Sequence, residues 1–252
     1  MADTEHSAAD ELAAAVSPTF ASAGSAWYFT EATRAAGKAL GLDGMRFYVL
    51  GRGGVLGEVD WRIVWSAFGY FSPALIERLW TTGAERCPVE RARQAHLEAC
   101  EAWGREQLAD VAGLPAFCEA ADRVVTAAAG DLGGLTLFAG YAAQPLPDDL
   151  PARAARLVAA LREHRGSAHL AAVAAVGLAT PVAHAMRRPG MVEGFGWEAG
   201  SLPEATDDDR RLLAEADRLT DRATARPYRA LDAAGADALR AGADGIAAAL
   251  AG

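Results

Sequence analysis

Apolar residues recur at helical intervals along most of the chain, and no segment shows the sustained alternation that a half-buried strand needs. Pro18–Leu40 sets Phe20, Trp27, Phe29 and Leu40 among alanines and stops at Gly41, the pattern of a helix closed by glycine. A short apolar run, Met45–Leu50, leads into Gly51-Arg52-Gly53-Gly54. Val59–Phe68 then places Val59, Ile63, Val64 and Phe68 on related helical faces. Gly69–Phe71 forms a tight turn, Ser72 suits an N-cap, Pro73 suits the first helical position, and the next helix runs to Gly83. Two short helices across a turn of that length predict a helix-turn-helix.

Pro88–Ala112 reads as a long amphipathic helix with Leu97, Cys100, Trp103 and Leu108 on its apolar side; Pro115 ends it and Phe117–Ala129 follows. Gly130–Gly140 is glycine-rich yet apolar, and Gln144–Pro151, with its prolines and aspartates, marks a linker. Beyond it, Ala152–His164 predicts a helix, Gly166 a break, and Ser167 the cap of a new helix through Val176. Thr180–Arg187 is a short helix, Met191–Thr206 a loop, Asp207–Thr224 a charged helix, and Pro227–Leu250 one or two closing helices. The order of elements in one half echoes the other. The expected fold is therefore all-α, with at most a minor β contribution: two helix-turn-helix repeats, residues 1–143 and 144–252, packed as one helical unit. The wing of a winged helix finds no room, because Thr81–Pro88 is short and Met191–Thr206 lacks a β-branched run.

Composition narrows the function more than the fold. At 52% hydrophobic and 23% charged the chain buries a core, and no apolar run reaches the roughly 18 residues of a membrane span. The acidic, alanine-rich start does not read as a secretory signal. Three cysteines, Cys87, Cys100 and Cys118, lack metal-type spacing and fit a reducing cytoplasm. A net charge of −9, with Lys38 the single lysine, argues against DNA as a partner, since DNA affinity rests on neutralising phosphates. The candidate reading helix, Pro73–Thr82, offers only Arg78 as a cation and sets Glu77 beside it. Gly51–Gly54 lacks the Lys-Ser/Thr of a phosphate loop, so nucleotide binding is not expected.

Several strings together resemble a known family: Trp27-Tyr28-Phe29, Phe47-Tyr48 through Gly51-Arg52 to Leu56-Gly57, Phe68 to Ser72-Pro73, Leu161 through His169, and Leu219-Thr220-Asp221-Arg222 to Arg226-Pro227. The chain is similar to an uncharacterised bacterial family of tandem, degenerate winged-helix proteins distantly like the MarR type and encoded beside natural-product genes. Val55 stands where that family has proline, and Gly24 where it has histidine. The resemblance implies a homodimer through terminal helices and a role near secondary metabolism.

Arg162–His169 concentrates the candidate chemistry, with Glu163 beside His164 and His169 in the first turn of the following helix. A neutral His169 or His164 oriented by Glu163 would act as a general base near pH 7; the alternative is a cap cluster serving a helix end. A two-His-one-carboxylate metal site from His164, His169 and Glu163, joined by His184 or His96, is the minority alternative, so no cofactor is expected. A buried Arg52 would need a carboxylate or an anionic ligand. Arg52, Arg162 and Arg165 are thus candidate anion clamps, and Tyr28, Tyr48, Trp65 and Tyr70 candidate contacts for a flat, apolar molecule. These residues predict acid–base chemistry (cyclisation, isomerisation or dehydration) on a hydrophobic intermediate. The alternatives are a ligand-responsive regulator and a protein that binds a metabolite without converting it.

Overall fold

Side-chain oxygens start half of the helices. Thr30, Asp43, Asp60, Ser72 and Asp149 each accept a backbone N–H of the helix that follows, and Thr206 with Asp209 forms a full capping box. In this computed structural model, which describes residues 2–251, the result is twelve α-helices and, among the described residues, no strand. They are α1 (Ala2–Ala26), α2 (Glu31–Ala39), α3 (Gly44–Gly53), α4 (Trp61–Phe68), α5 (Pro73–Ala84), α6 (Val89–Gln107), α7 (Leu114–Ala129), α8 (Thr136–Ala142), α9 (Leu150–Ala175), α10 (Thr180–Arg187), α11 (Asp207–Ala225) and α12 (Ala233–Ala251). Short 3₁₀ turns cover Gly54–Leu56, Pro189–Met191, Glu193–Phe195 and Arg226–Ala230.

The all-α expectation holds, with three local corrections. The stretch read as one helix over Pro18–Leu40 is two, because the chain turns at Trp27–Thr30. Gly130–Gly140 runs into α8, which starts at Thr136. Most consequentially, α9 is one unbroken helix through Gly166, where a break was expected. Gly166 is exposed and a Cβ there would touch only a Glu163 oxygen at 3.9 Å, so burial of the rest of α9 outweighs the roughly 1 kcal/mol that glycine costs mid-helix.

Helix α9 is the axle of the molecule. It packs on α1, α6, α7, α8, α10 and α11, and over 26 residues it spans about 39 Å. One continuous core runs from Ala9 in α1 to Ile246 in α12, so the two halves share their main interior. A smaller apolar cluster joins the end of α9 to α10 and α11 through Val173, Leu178, Val182 and Leu213. The linker is pinned to this frame: Arg156, nearly buried, donates to Glu101 at 2.6 Å and to the Pro145 carbonyl at 3.2 Å. The terminal helices, which the resemblance assigns to a dimer, meet each other within one chain. α1 packs on α12, and Gly242 of α12 lies so close to Phe117 that an added Cβ would stand 2.4 Å from that ring.

The predicted helix-turn-helix is α4–α5. Gly69 adopts φ +68° in the turn, and the Leu170 side chain of α9 sits against it, 2.2 Å from where a Cβ would be. Ser72 caps α5 and Pro73 occupies its first turn. The counterpart in the second half is degenerate: α10 is followed by two 3₁₀ turns instead of a second helix.

Candidate functional site

Three faces of α9 lead to three separate environments. Adjacent helical residues point about 100° apart, whereas residues four or seven apart share a face. Glu163 and Leu170 therefore face the first half, Arg165 and His169 face α11, and His164, Ala168, Ala171, Ala172 and Ala175 form a third stripe.

On the first face lies a buried ion cluster. Glu163 accepts Arg52 Nε at 3.0 Å, Arg52 Nη2 at 2.7 Å, Arg162 Nη1 at 2.7 Å and the Tyr28 hydroxyl at 2.9 Å. Three of these donors converge on Oε1 and the fourth reaches Oε2, so two guanidinium groups and a hydroxyl surround the carboxylate. Burial alone would raise the Glu163 carboxyl; Arg52 and Arg162 overcome that and hold it at about 2. Arg52 also donates to the Tyr48 hydroxyl at 2.8 Å and lies 4.4 Å from the centre of the Phe68 ring. The requirement that a buried arginine find a partner is thus met by a carboxylate 111 residues away, and Arg52 has no open fork for a ligand anion. Arg162 also donates to the Tyr28 hydroxyl, so Tyr28, Tyr48 and both arginines belong to this cluster.

Two further residues neighbour the cluster: His96, which the sequence offered only as an extra ligand for the minority metal site, and Tyr141, which it did not single out. His96 is fully buried among Trp27, Tyr28 and Phe47, with no hydrogen-bond partner for either ring nitrogen; burial, then the Arg52 charge, lowers its pKa to about 3. Tyr141 is also buried with an unpartnered hydroxyl, which burial pushes well above the usual tyrosine range. The signal for His96 was present: Val89, Ala92, His96, Cys100 and Trp103 recur at helical spacing on the buried side of α6.

On the second face, Arg165 pairs with Asp221 at 2.8 Å. His169 Nδ1 lies 3.1 Å from Thr220 Oγ1, which already donates to the Ala216 carbonyl at 2.7 Å. Nδ1 is therefore the donor and Nε2 carries the lone pair. His169 sits mid-helix, not in a first turn, and its lowered pKa comes from burial, opposed by Asp217. Tyr70 lies between His169 and His184, with ring centres 6.3 and 5.7 Å away. Trp65 is spent elsewhere, donating from its indole to the Phe71 carbonyl at 2.9 Å on a partly exposed face.

The third face floors a groove of about 500 Å³. Its walls are Ala127 and Ala128 of α7, the alanine stripe of α9, Leu219 and Ala223 of α11, and Pro227. Asp131 and Arg226, an exposed pair 3.6 Å apart, stand at its mouth. His164 is the one ionisable side chain on the floor. It is 4% exposed, makes no hydrogen bond among the described residues, and meets the Phe138 ring edge-to-face at 4.9 Å. Burial lowers its pKa to about 4, so it is neutral at pH 7.

The structure thus separates the proposed catalytic residues. Glu163 is sealed in the ion cluster, His169 pairs with α11, and His164 stands alone in the groove, so no acid–base dyad forms among them. Among the described residues no group of three histidine, cysteine, aspartate or glutamate side chains is placed to hold a metal ion, and no helix is long and apolar enough to cross a membrane.

The exposed face of α4–α5 carries few charges. α5 exposes Ala74, Glu77, Arg78, Thr81 and Ala84, with one cation balanced by one anion, and exposed Arg62 of α4 pairs with Asp60. Its N-terminal end is covered by the second half: Ser72 N–H donates to the Phe195 carbonyl at 2.8 Å, the Phe195 ring stacks on Phe71 at 4.0 Å, and Trp197 donates to the Tyr70 carbonyl at 2.9 Å.

No curated protein and no solved structure matches the chain. Residues 12–199 do match a helix-turn-helix family, a span that includes α4–α5, the buried ion cluster and all of α9. The chain belongs to that helix-turn-helix family.

Proposed function

We propose that this protein is a ligand-responsive helix-turn-helix regulator, which takes a small apolar molecule into the groove between α7, α9 and α11. The observation that carries this reading is the double role of α9. One stripe of the helix floors the groove, while Leu170 on another face packs against Gly69 in the turn between α4 and α5. A ligand that shifts or stiffens α9 therefore acts on the helix-turn-helix through one rigid element. The groove has the volume and the apolar lining of a small-molecule site, with few polar groups. Acid–base turnover is the weaker reading, because His164 has no acid, base or orienting partner in the groove.

A second reading is a metabolite-binding protein that no longer reads DNA. The cover over the start of α5 and the net charge of −9 favour it. Selection from a random-sequence duplex pool at about 50 mM salt separates the two. The regulator reading expects an enriched duplex whose binding weakens when Arg78→Ala removes the exposed cation of α5. It also expects Leu170→Ala to abolish any effect of a groove ligand on that binding. A pool that yields no duplex at low salt, from protein that still binds its ligand, overturns the regulator in favour of the binding protein.

A further inference from the structure

The groove carries a statement about its ligand, and this statement rests on the groove being the binding site. Its wall side chains are alanines with Leu135, Leu219 and Pro227, which offer dispersion but no directional contact. Its floor holds one polar side chain, His164, more than nine-tenths buried and unpartnered. Its one cation, Arg226, already faces Asp131. Neutral imidazole presents one donor and one acceptor, and burial keeps it neutral at physiological pH.

We infer that the groove takes a flat, uncharged, largely apolar ring system bearing a hydroxyl group, a phenol or an enol, that hydrogen-bonds to His164. An anionic ligand fits poorly: a carboxylate would lose its hydration against alanine walls without gaining an unpaired cation. A purely hydrocarbon ring would leave the imidazole unpartnered and dry, which costs more than the groove's dispersion contacts distinguish. The hydroxyl supplies what the site lacks. It both donates and accepts, so it satisfies either tautomer of His164.

The test is calorimetric titration of the full chain with four probes: 2-naphthol, 2-methylnaphthalene, 2-methoxynaphthalene and 2-naphthoate. The expected result is that 2-naphthol binds about three- to tenfold more tightly than 2-methylnaphthalene, with 2-naphthoate weakest. His164→Phe removes that preference while leaving 2-methylnaphthalene bound, and His164→Gln, which keeps a donor and an acceptor, restores part of it. Ala171→Phe on the open side of the stripe blocks all four probes. Equal affinity for 2-naphthol and 2-methylnaphthalene, unchanged by His164→Phe but lost in Ala171→Phe, overturns the ligand class and leaves the groove intact as a site. Tighter binding of 2-naphthoate than of 2-naphthol overturns the class in the same way, since it requires a cation that the floor does not supply. Binding that survives Ala171→Phe overturns the groove itself.

Discussion

Glu163 and His164 are neighbours in sequence and both are nearly buried, yet they meet opposite circumstances. Glu163 accepts four donors in a cluster that ties α9 to α3 and to the turn after α1, whereas His164 has none and faces a groove. Burial penalises the charged form of both. The carboxylate stays ionised because two arginines share its site; the imidazole stays neutral because nothing charged is close enough to oppose burial. Burial by itself therefore does not mark a functional group. An unpartnered valence that a ligand can reach does: His96 and Tyr141 lack partners but are sealed beside the ion cluster, which is part of the frame, whereas His164 lines a groove, the place to look for a ligand.

The largest effect that tests this contrast is on the frame. Glu163→Ala leaves Arg52 buried without a carboxylate, and we expect a loss of about 3–5 kcal/mol in folding stability, read by urea denaturation at pH 7. A loss below about 1 kcal/mol would mean that the cluster is not structural.

Acid comes next. His164 has a folded pKa of about 4 against an ordinary 6.5, so the stability held in its neutral form is complete above about 6.5 and falls away as pH drops towards about 4. His96 behaves likewise down to about 3, and Glu163 loses its contribution between about 4.5 and about 2. Stability should fall by up to roughly 1.4 kcal/mol per pH unit for each group taking up a proton. His164→Leu should remove one proton from that slope between pH 6.5 and 4, as measured by urea midpoints across pH. An unchanged slope would place His164 in water. The smallest effect is that of the same variant at pH 7, where replacing an unpartnered ring of similar volume should move stability by no more than about 1 kcal/mol.

Local signals made the helix-turn-helix legible. Ser72, Pro73 and the glycine of the turn act within a few residues, and α4 and α5 follow closely the bounds those residues suggest. The continuity of α9 was not legible, since a glycine beside a serine reads as a break and only packing on several neighbours shows that it is none. That one difference separates the three proposed catalytic side chains: on two helices His164, His169 and Glu163 were free to converge, and on one helix their spacing sends them apart. Arg52 was half legible. Its need for an anionic partner follows from burial, but no local pattern connects it to Glu163. The groove was not legible at all, because α7, α9 and α11 each contribute small residues whose meaning appears only when the helices are side by side. α11, one of its walls, also lies beyond the residues that the family shares.

The alanine walls have one more consequence. Alanine has no side-chain torsion to rearrange, so most of the groove's shape is written in the backbone, and Leu135 and Leu219 are the wall side chains that can adjust to a guest. Selectivity by size is then built in, and it is adjustable in single steps. Changing any wall alanine to valine narrows the slot by two methyl groups without touching the hydrogen-bonding floor. A lineage built on this scaffold could retune what it recognises through a handful of near-neutral substitutions while its frame stays the same.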